Sequence, residues 1–271
     1  MSKAIKKPEQ PKIYKVKQII QEAQGFKTFR FQGKMELEAG QFIMFWIPGL
    51  DMKPFSVSSS DGEYFEITAM KIGDFTQAMF NLKVGDQVGI QGPYGRGFQI
   101  SEKNNIVIMG GGCGIAPINL LVERAQAKNK NITFIGGCRN QAVFLKREKI
   151  AKLIKNCYFT TDDGSFGEKG FTTEILEKLI KKGQKIDQIL ACGPEIMLYK
   201  CAKIAVKNNI ACQVSLERMM KCAIGICGQC VLDGSGIRVC KDGPVLSAEK
   251  ALTSPEFGSY KRDERGRIVK A

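Results

Sequence analysis

The chain has 271 residues, of which 44% are hydrophobic and 25% charged, so it can form two ordinary globular domains and a small additional segment. The formal net charge is +14, but only ten of the 41 basic residues are arginine, and the lysines are scattered along the chain. This pattern favours a solvated basic surface, or docking to an acidic partner protein, over nucleic-acid binding.

Neither export nor membrane insertion is expected. Residues 1–12 lack the apolar segment of a secretory signal. The longest apolar stretch, 106–122, is interrupted by four glycines and Pro117, which argues against a membrane span. Ten cysteines in a chain that is not exported are typical of a reducing compartment and of thiol or metal chemistry. We therefore predict a cytoplasmic protein without a membrane partner.

Residues 10–101 show the pattern of a small β-barrel. Short alternating apolar runs are separated by turn signals such as Asp61-Gly62 and Gly85-Asp86. One helix is expected from Thr76 to Leu82, with Thr76 as its N-cap. The predicted strands are Ile13–Ile19, Thr28–Phe31, Phe42–Ile47, Tyr64–Ala69 and Gln87–Ile90.

Residues 102–213 are predicted to form a doubly wound α/β domain, because strands there alternate with helices. The run Ile106–Met109 is continuously apolar, as in a buried parallel strand, and a helix through Ala127 follows it. Three later runs predict strands, and two predict helices. The strands are Ile132–Ile135, Cys157–Thr160 and Gln188–Cys192, and the helices are Thr173–Lys182 and Glu195–Asn208.

A glycine run joins the first strand of this domain to its helix. Backbone N–H groups and the positive helix end can hold a pyrophosphate at such a junction, and the candidates are Gly110, Gly111, Gly112 and Gly114. Ile115 takes the place of the third glycine in the usual dinucleotide pattern, and a tight turn without a ligand is the alternative. No acidic residue closes the second strand, so NAD and NADP are not distinguished there.

Four other short stretches are candidate ligand sites. The stretch Lys53–Ser56 offers a cation and a hydroxyl, and Gly73 and Thr76 lie where a helix begins, so both suit a diphosphate. Asp163 and the turn Cys192–Pro194 follow predicted strands, at the end of the sheet where doubly wound domains bind ligands. Each stretch also fits an ordinary strand, cap or loop role.

The segment 214–246 carries four cysteines with the spacing C-x4-C-x2-C-x9-C: Cys222, Cys227, Cys230 and Cys240. The first part of this spacing is that of plant-type [2Fe–2S] proteins. Gly225 and Gly228 can adopt the positive φ that a loop around a cluster requires. An all-cysteine zinc site is the main alternative, and buried core cysteines are another. Residues 247–271 follow as a basic tail.

Together these stretches resemble the ferredoxin–NADP reductase superfamily. The flavin motif at Lys53–Ser56 is followed by the nicotinamide motif Gly110–Pro117 and by Cys192-Gly193-Pro194. The segments Ser215–Cys230 and Val239–Val245 closely resemble the electron transfer subunits of class B dihydroorotate dehydrogenases. The tail Phe257–Val269 resembles archaeal members of that family.

The resemblance implies a six-stranded antiparallel barrel that binds FAD, an NAD(P)-binding domain and a [2Fe–2S] segment. FAD would be held by Lys53, Pro54, Phe55 and Ser56, with its diphosphate at Gly73 and Thr76. NAD(H) would lie over the glycine run, near Asp163, Gly193 and Pro194, with Cys192 at the site of hydride transfer. Lys53 stands where the family has Arg, which removes the two-pronged fork that fits a phosphate.

The family resemblance also implies a partner. Electrons would pass between NAD(H), FAD, the cluster and the FMN of a dihydroorotate dehydrogenase catalytic subunit, in a heterotetramer that serves pyrimidine biosynthesis. Similar segments occur in subunits of sulfhydrogenases and anaerobic sulfite reductases, and Gly92–Phe98 leans toward those relatives. A stand-alone NAD(P)H–ferredoxin reductase and a zinc-dependent nucleic-acid-binding module are further alternatives.

Overall fold

The computed structural model describes residues 10–263 and 265–270. Most of the segment 1–12, on which the prediction of no secretory signal rests, lies outside the described residues. Six antiparallel strands close a barrel in the order β1-β2-β5-β4-β3-β6. A short helix, α1, connects β5 and β6. These elements are β1 (Lys12–Ala23), β2 (Phe26–Gln32), β3 (Phe42–Ile47), β4 (Asp51–Ser60), β5 (Tyr64–Met70), α1 (Asp74–Phe80) and β6 (Gln87–Tyr94).

Strand β3 of the barrel has two buried faces. Ile43 and Phe45 belong to the core that fills the barrel. Phe42 and Met44 point the other way, into a second core shared with the remainder of the chain. Alternate side chains of a strand face opposite sides of the sheet, so the continuous apolar run of β3 is explained by these two cores.

Two features of the barrel differ from the sequence-based prediction. Strand β4 was not among the predicted strands, because its proline and serines break the apolar alternation. The helix begins earlier than predicted, and Gly73, not Thr76, is its N-cap. Thr76 is the third residue of the helix, where its hydroxyl accepts hydrogen bonds from the N–H groups of Ile72 and Gly73 at 2.9 and 3.0 Å.

The second domain is built on a seven-stranded sheet with the order β10-β9-β8-β7-β11-β12-β13, in which the first six strands are parallel. This confirms the doubly wound prediction. Its elements are β7 (Asn105–Gly111), α2 (Ile115–Ala127), β8 (Asn131–Cys138), α3 (Arg147–Leu153), β9 (Asn156–Thr161), β10 (Glu168–Lys169), α4 (Thr172–Lys181), β11 (Gln188–Cys192), α5 (Glu195–Lys207) and β12 (Ala211–Ser215).

The C-terminal part returns to this sheet after passing through the four cysteines. Strand β13 pairs antiparallel with β12 and so adds the last strand of the sheet. The stretch predicted as a tail contains a helix and a hairpin. The elements are α6 (Val239–Asp242), β13 (Val245–Ser247), α7 (Ala248–Leu252), β14 (Tyr260–Arg262) and β15 (Ile268–Lys270). Within the described ranges, no helix is long and apolar enough to cross a membrane.

Candidate functional site

The glycine run lies against the turn Cys192–Pro194. A Cβ on Gly111 would meet the Sδ of Met197 at 2.6 Å and the Cδ of Pro194 at 2.7 Å. A Cβ on Gly114 would lie 2.5 Å from the carbonyl oxygen of Cys192. Gly114 is therefore needed for close packing of two backbones, and Gly111 leaves room for the side chains of Met197 and Pro194. These contacts account for part of the run without a ligand.

Gly112 is different, because its surroundings are open. Its φ is +51°, in the region that favours glycine, and no atom lies within 4 Å of the position a Cβ would take. It begins a 3-10 turn, Gly112–Gly114, that leads into α2. An open, glycine-lined surface at the start of a helix suits the close approach of a pyrophosphate.

Cys192 ends strand β11, between Gly110 of β7 and Ser215 of β12. The side chain is half-buried, and burial raises the pKa of its thiol to about 12. The raised pKa favours the neutral thiol, so Cys192 suits a contact or packing role better than that of a thiolate nucleophile. It can contact a reacting group or exclude water beside the glycine run.

The predicted flavin motif is split between the two faces of β4. Pro54 and Ser56 are paired with Met44 and Phe42, whose side chains leave the barrel. Phe55 is paired with Ile43 and is only half-buried. Its ring packs 5.8 Å from Phe45 and 6.1 Å from Phe75 between centroids.

Lys53 does not stand alone at the edge of the barrel. Its Nζ lies 2.7 Å from Oδ2 of Asp51, two residues earlier on the same strand. Hydrogen bonds from Lys53 and from the N–H of Met52 hold the pKa of Asp51 below its usual value, and the charge of Lys221 adds to this. The charge of Lys53, which was expected to bind a phosphate, is therefore partly neutralised by Asp51. Lys221, the residue before Cys222, is close enough to Asp51 to affect its pKa.

Helix α2 holds the glycine run against the barrel. The side-chain amide of Asn119 donates a hydrogen bond of 3.0 Å to the carbonyl oxygen of Ser58. Ser58 follows the predicted flavin motif on β4, so the structure brings that motif and the predicted dinucleotide turn to one domain junction.

Asp163 lies farther along the same edge of the sheet. It is exposed, and its Oδ1 accepts hydrogen bonds from the N–H and Oγ of Ser165 at 2.9 and 2.7 Å.

The four cysteines lie in two pairs within the loop 222–240, called the cluster loop below. Cys222 contacts Cys227, and Cys230 contacts Cys240, through their side chains. In the described part of the chain, no group of three or more His, Cys, Asp or Glu side chains is placed to hold a metal ion. Two contacting pairs of thiols fit a binuclear iron cluster, which divides four thiolates between two irons.

The backbone of the cluster loop also fits thiolate ligands. The N–H groups of Ile226 and Cys227 point at Sγ of Cys222, each at 3.4 Å, and the N–H of Cys240 lies 3.3 Å from Sγ of Cys230. Burial opposes ionisation of Cys222, but these N–H groups lower its pKa to about 6. At Cys222 the loop is thus shaped to stabilise charge on sulfur, whereas burial and the neighbouring Cys230 raise the pKa of Cys240 to about 12.

The cluster loop packs on the outer face of the barrel. Ala223, Cys230 and Cys240 share one apolar core with Phe42 and Met44. Those two β3 residues pair with Ser56 and Pro54 of the predicted flavin motif. Two predicted cluster ligands and the β3 residues beside the predicted flavin motif therefore belong to one core.

A buried ion network was missed from the sequence. Arg218 is 7% exposed, and its two terminal nitrogens donate to the carboxylate of Glu195 at 2.5 and 2.9 Å. Its Nε donates to Glu256 at 2.5 Å. The other oxygen of Glu256 accepts the N–H of Asp233 at 2.9 Å. These partners are far apart in the chain, so no spacing pattern could have revealed the network.

The predicted basic tail is bound to the cluster loop. Arg262 forms an ion pair of 2.7 Å with Asp233, and the hydroxyl of Tyr260 donates to the same carboxylate at 3.0 Å. Gln229 donates to the carbonyl oxygen of Asp263 at 3.4 Å. The C-terminal hairpin therefore supports the loop that carries the cysteines.

Family models match three consecutive parts of the chain. They describe an oxidoreductase FAD-binding domain over residues 14–98, an oxidoreductase NAD-binding domain over residues 108–203, and the iron–sulfur cluster binding domain of dihydroorotate dehydrogenase B over residues 217–251. A relative from Methanocaldococcus jannaschii is 45% identical over 96% of this chain and 99% of its own length. It is named a probable dihydroorotate dehydrogenase B (NAD(+)), electron transfer subunit.

The chain belongs to this family of electron transfer subunits. A second member, from Pyrococcus furiosus, is 42% identical over 91% of this chain and 94% of its own length. The matches confirm the predicted oxidoreductase class and the three predicted cofactors, FAD, NAD and an iron–sulfur cluster, at the level of domains. They count against a zinc-dependent nucleic-acid-binding module.

Solved structures support the same architecture. An NADH-dependent reduced ferredoxin-NADP oxidoreductase, studied for flavin-based electron bifurcation, matches with a TM-score of 0.80 and 25% identity over 91% of both chains. Phthalate dioxygenase reductase matches with a TM-score of 0.61 and 14% identity over 72% of this chain and 64% of its own, and shows the fold alone. The assignment of individual site residues and the exact domain boundaries stay predictions.

Proposed function

We propose that this chain is the NAD-linked electron transfer subunit of a class B dihydroorotate dehydrogenase in the cytoplasm. Its partner would be a catalytic subunit that carries FMN and oxidises dihydroorotate, in a heterotetramer that serves pyrimidine biosynthesis. Full-length similarity to relatives of that name, through the cysteine segment, is the observation that carries the proposal.

When bound, a flavin exchanges either a hydride or single electrons, and a [2Fe–2S] cluster carries one electron at a time. The residues of this chain would hold these groups in order. The open surface at Gly112 would receive the dinucleotide, and Cys192 would lie beside its reacting end. Pro54, Ser56 and the cluster loop share one side of the barrel, which supports close placement of the flavin and the cluster.

The cluster loop has an exposed apolar side that suits a permanent partner. Ile226 is 79% exposed and Ile224 is 49% exposed. Cys227, which directly follows Ile226, is also exposed. Apolar side chains grouped at the surface mark protein interfaces more often than isolated ones do. A partner that exchanges electrons with the cluster would cover this side of the loop.

Substitution of Ile226 tests the docking surface. Ile226→Lys should weaken association with the catalytic subunit by about tenfold or more, since it would bury an unpaired charge at the contact. Reduction of the bound FAD by NADH should be unchanged. Val84→Lys is the matched control, because Val84 is 63% exposed in a turn of the barrel. Sedimentation of mixed subunits measures assembly, and parental affinity of Ile226→Lys would exclude this face.

The identity of the partner separates the remaining alternatives. Addition of dihydroorotate to the anaerobically purified complex should bleach the visible absorbance of the flavin and the cluster. A co-purifying hydrogenase or sulfite reductase core, without a response to dihydroorotate, would favour those assemblies instead. A chain that elutes alone from gel filtration and reduces a ferredoxin with NAD(P)H would be a stand-alone reductase.

A further inference from the structure

The buried arginine Arg218 ties the predicted nicotinamide turn to the cluster loop. Glu195, which accepts two of its hydrogen bonds, lies three residues after Cys192. Arg218 itself lies four residues before Cys222. Through Glu256 the network also reaches the N–H of Asp233, three residues after Cys230. One guanidinium thus links a residue near the predicted nicotinamide turn to residues near the predicted cluster ligands.

We propose that Arg218 is a positioning residue that fixes the cluster loop relative to the turn Cys192–Pro194. The inference rests on the proposed function, because it concerns electrons that pass between the flavin and the cluster. Arg218 would act through its carboxylate partners, Glu195 and Glu256.

The chemistry of the side chain explains why arginine is required. A planar guanidinium can grip Glu195 with two nitrogens and Glu256 with a third, whereas a lysine ammonium is a single point charge. The turn at Cys192 belongs to the central sheet, which is held by ladders on both sides. The cluster loop has little regular structure, so it is the part that would shift when the grip is lost.

Arg218→Lys tests this role in the full chain with FAD and cluster bound. In stopped-flow mixing with NADH, flavin reduction should keep its parental rate. Cluster reduction, expressed per cluster present, should slow by about tenfold or more, because small displacements in a reaction path have large effects on rate. Hydrogen exchange should increase in residues 217–235 and stay unchanged in residues 188–194.

Two further variants separate a positioning role from a general loss of stability. Arg262→Lys is the matched control, since Arg262 also contacts the cluster loop through Asp233 but does not reach α5; it should keep the parental rate of cluster reduction. Glu256→Gln removes one charge of the network and keeps the side-chain size. It should slow cluster reduction in the same direction, and it decides the question if Arg218→Lys does not fold.

The outcomes separate this inference from the proposed function. If Arg218→Lys or Glu256→Gln keeps the parental rate of cluster reduction, expressed per cluster present, the positioning role is overturned. Arg218 would then have only a stabilising role, even if the variant binds less iron. A parent protein whose cluster is not reduced by NADH would overturn the proposed function and this inference together. An altered electron paramagnetic resonance spectrum of the reduced cluster in Arg218→Lys, but not in Arg262→Lys, would support it.

Discussion

Two glycines of the same turn should respond in different ways to alanine. Gly114 has a φ of −65°, which any residue adopts, so alanine there adds no backbone strain. Its Cβ, however, would lie 2.5 Å from the carbonyl oxygen of Cys192 and 2.6 Å from the N of Gly193. Both obstacles are backbone atoms, which cannot rotate away. The turn Cys192–Pro194 and the start of α2 must therefore move apart.

The expected magnitude follows from two opposing terms. Alanine is favoured over glycine in a helical conformation by about 1 kcal/mol. Overpacking of this severity costs roughly 3 kcal/mol, the upper end of the usual range. Gly114→Ala should therefore lower the free energy of unfolding by about 2 kcal/mol, which corresponds to a decrease in Tm of roughly 4–8 °C. Flavin reduction by NADH should slow as well, because Cys192 is displaced.

Gly112→Ala and Gly183→Ala are the comparison pair. Both positions have positive φ and no atom within 4 Å of the added Cβ, so each should cost about 1–2 kcal/mol from backbone strain alone. Only Gly112 lies on the predicted dinucleotide surface, so only Gly112→Ala should also weaken NADH binding. Thermal unfolding and stopped-flow reduction measure these effects. A higher Tm for Gly114→Ala, with parental reduction kinetics, would refute the steric conflict with the Cys192–Pro194 backbone.

Four other predictions follow from the site. Cys192→Ala should slow hydride transfer to FAD more than it weakens NADH binding, with no pH dependence from the thiol below its pKa of about 12; an unchanged stopped-flow rate would leave only a packing role. Cys227→Ser should lower the iron content and leave most of the fold intact, since Cys227 is exposed, and full iron retention would remove it from the ligand set. Lys53→Arg should tighten FAD binding to the apoprotein, because a guanidinium can grip a phosphate with two nitrogens; equal dissociation constants would contradict this. Hydrogen bonds from Arg262 and Tyr260 lower the pKa of Asp233, so their stabilisation is present above the ordinary pKa of about 3.9 and lost as the pH falls through the lower folded value. In the parent protein, hydrogen exchange of the C-terminal hairpin should therefore increase only in acid. In Asp233→Asn it should be faster than in the parent at every pH above that range, and a parental pattern in that variant would count against the ion pair.

Local patterns predicted the framework of the protein well. The continuous apolar run Ile106–Met109 lies in β7, which the sheet buries on both faces, and helix α5 begins at Glu195 as predicted. The close spacing of the cysteines marked the segment that family comparison identifies as cluster-binding. These features are local, so a short window of residues contains the necessary information.

Features that depend on distant partners were not predictable in this way. Strand β4 lacks apolar alternation because a proline and several serines occupy it, and its pairing with β3 and β5 is what makes it a strand. The neutralisation of Lys53 by Asp51 could have been suspected, since residues two apart on a strand share a face. The network around Arg218 could not have been inferred from the sequence, because Glu195 and Glu256 lie 23 and 38 residues away from Arg218.

The position of Glu256 has a consequence for the order of biosynthesis. The residue follows all four predicted cluster ligands in the chain, yet it binds Arg218, which precedes them. During translation, domains generally fold in the order in which they leave the ribosome. The barrel and the parallel sheet can be complete while Arg218 has Glu195 as a counter-charge but not yet Glu256. The cysteine segment should consequently become fixed on a folded platform only when the segment around Glu256 has emerged.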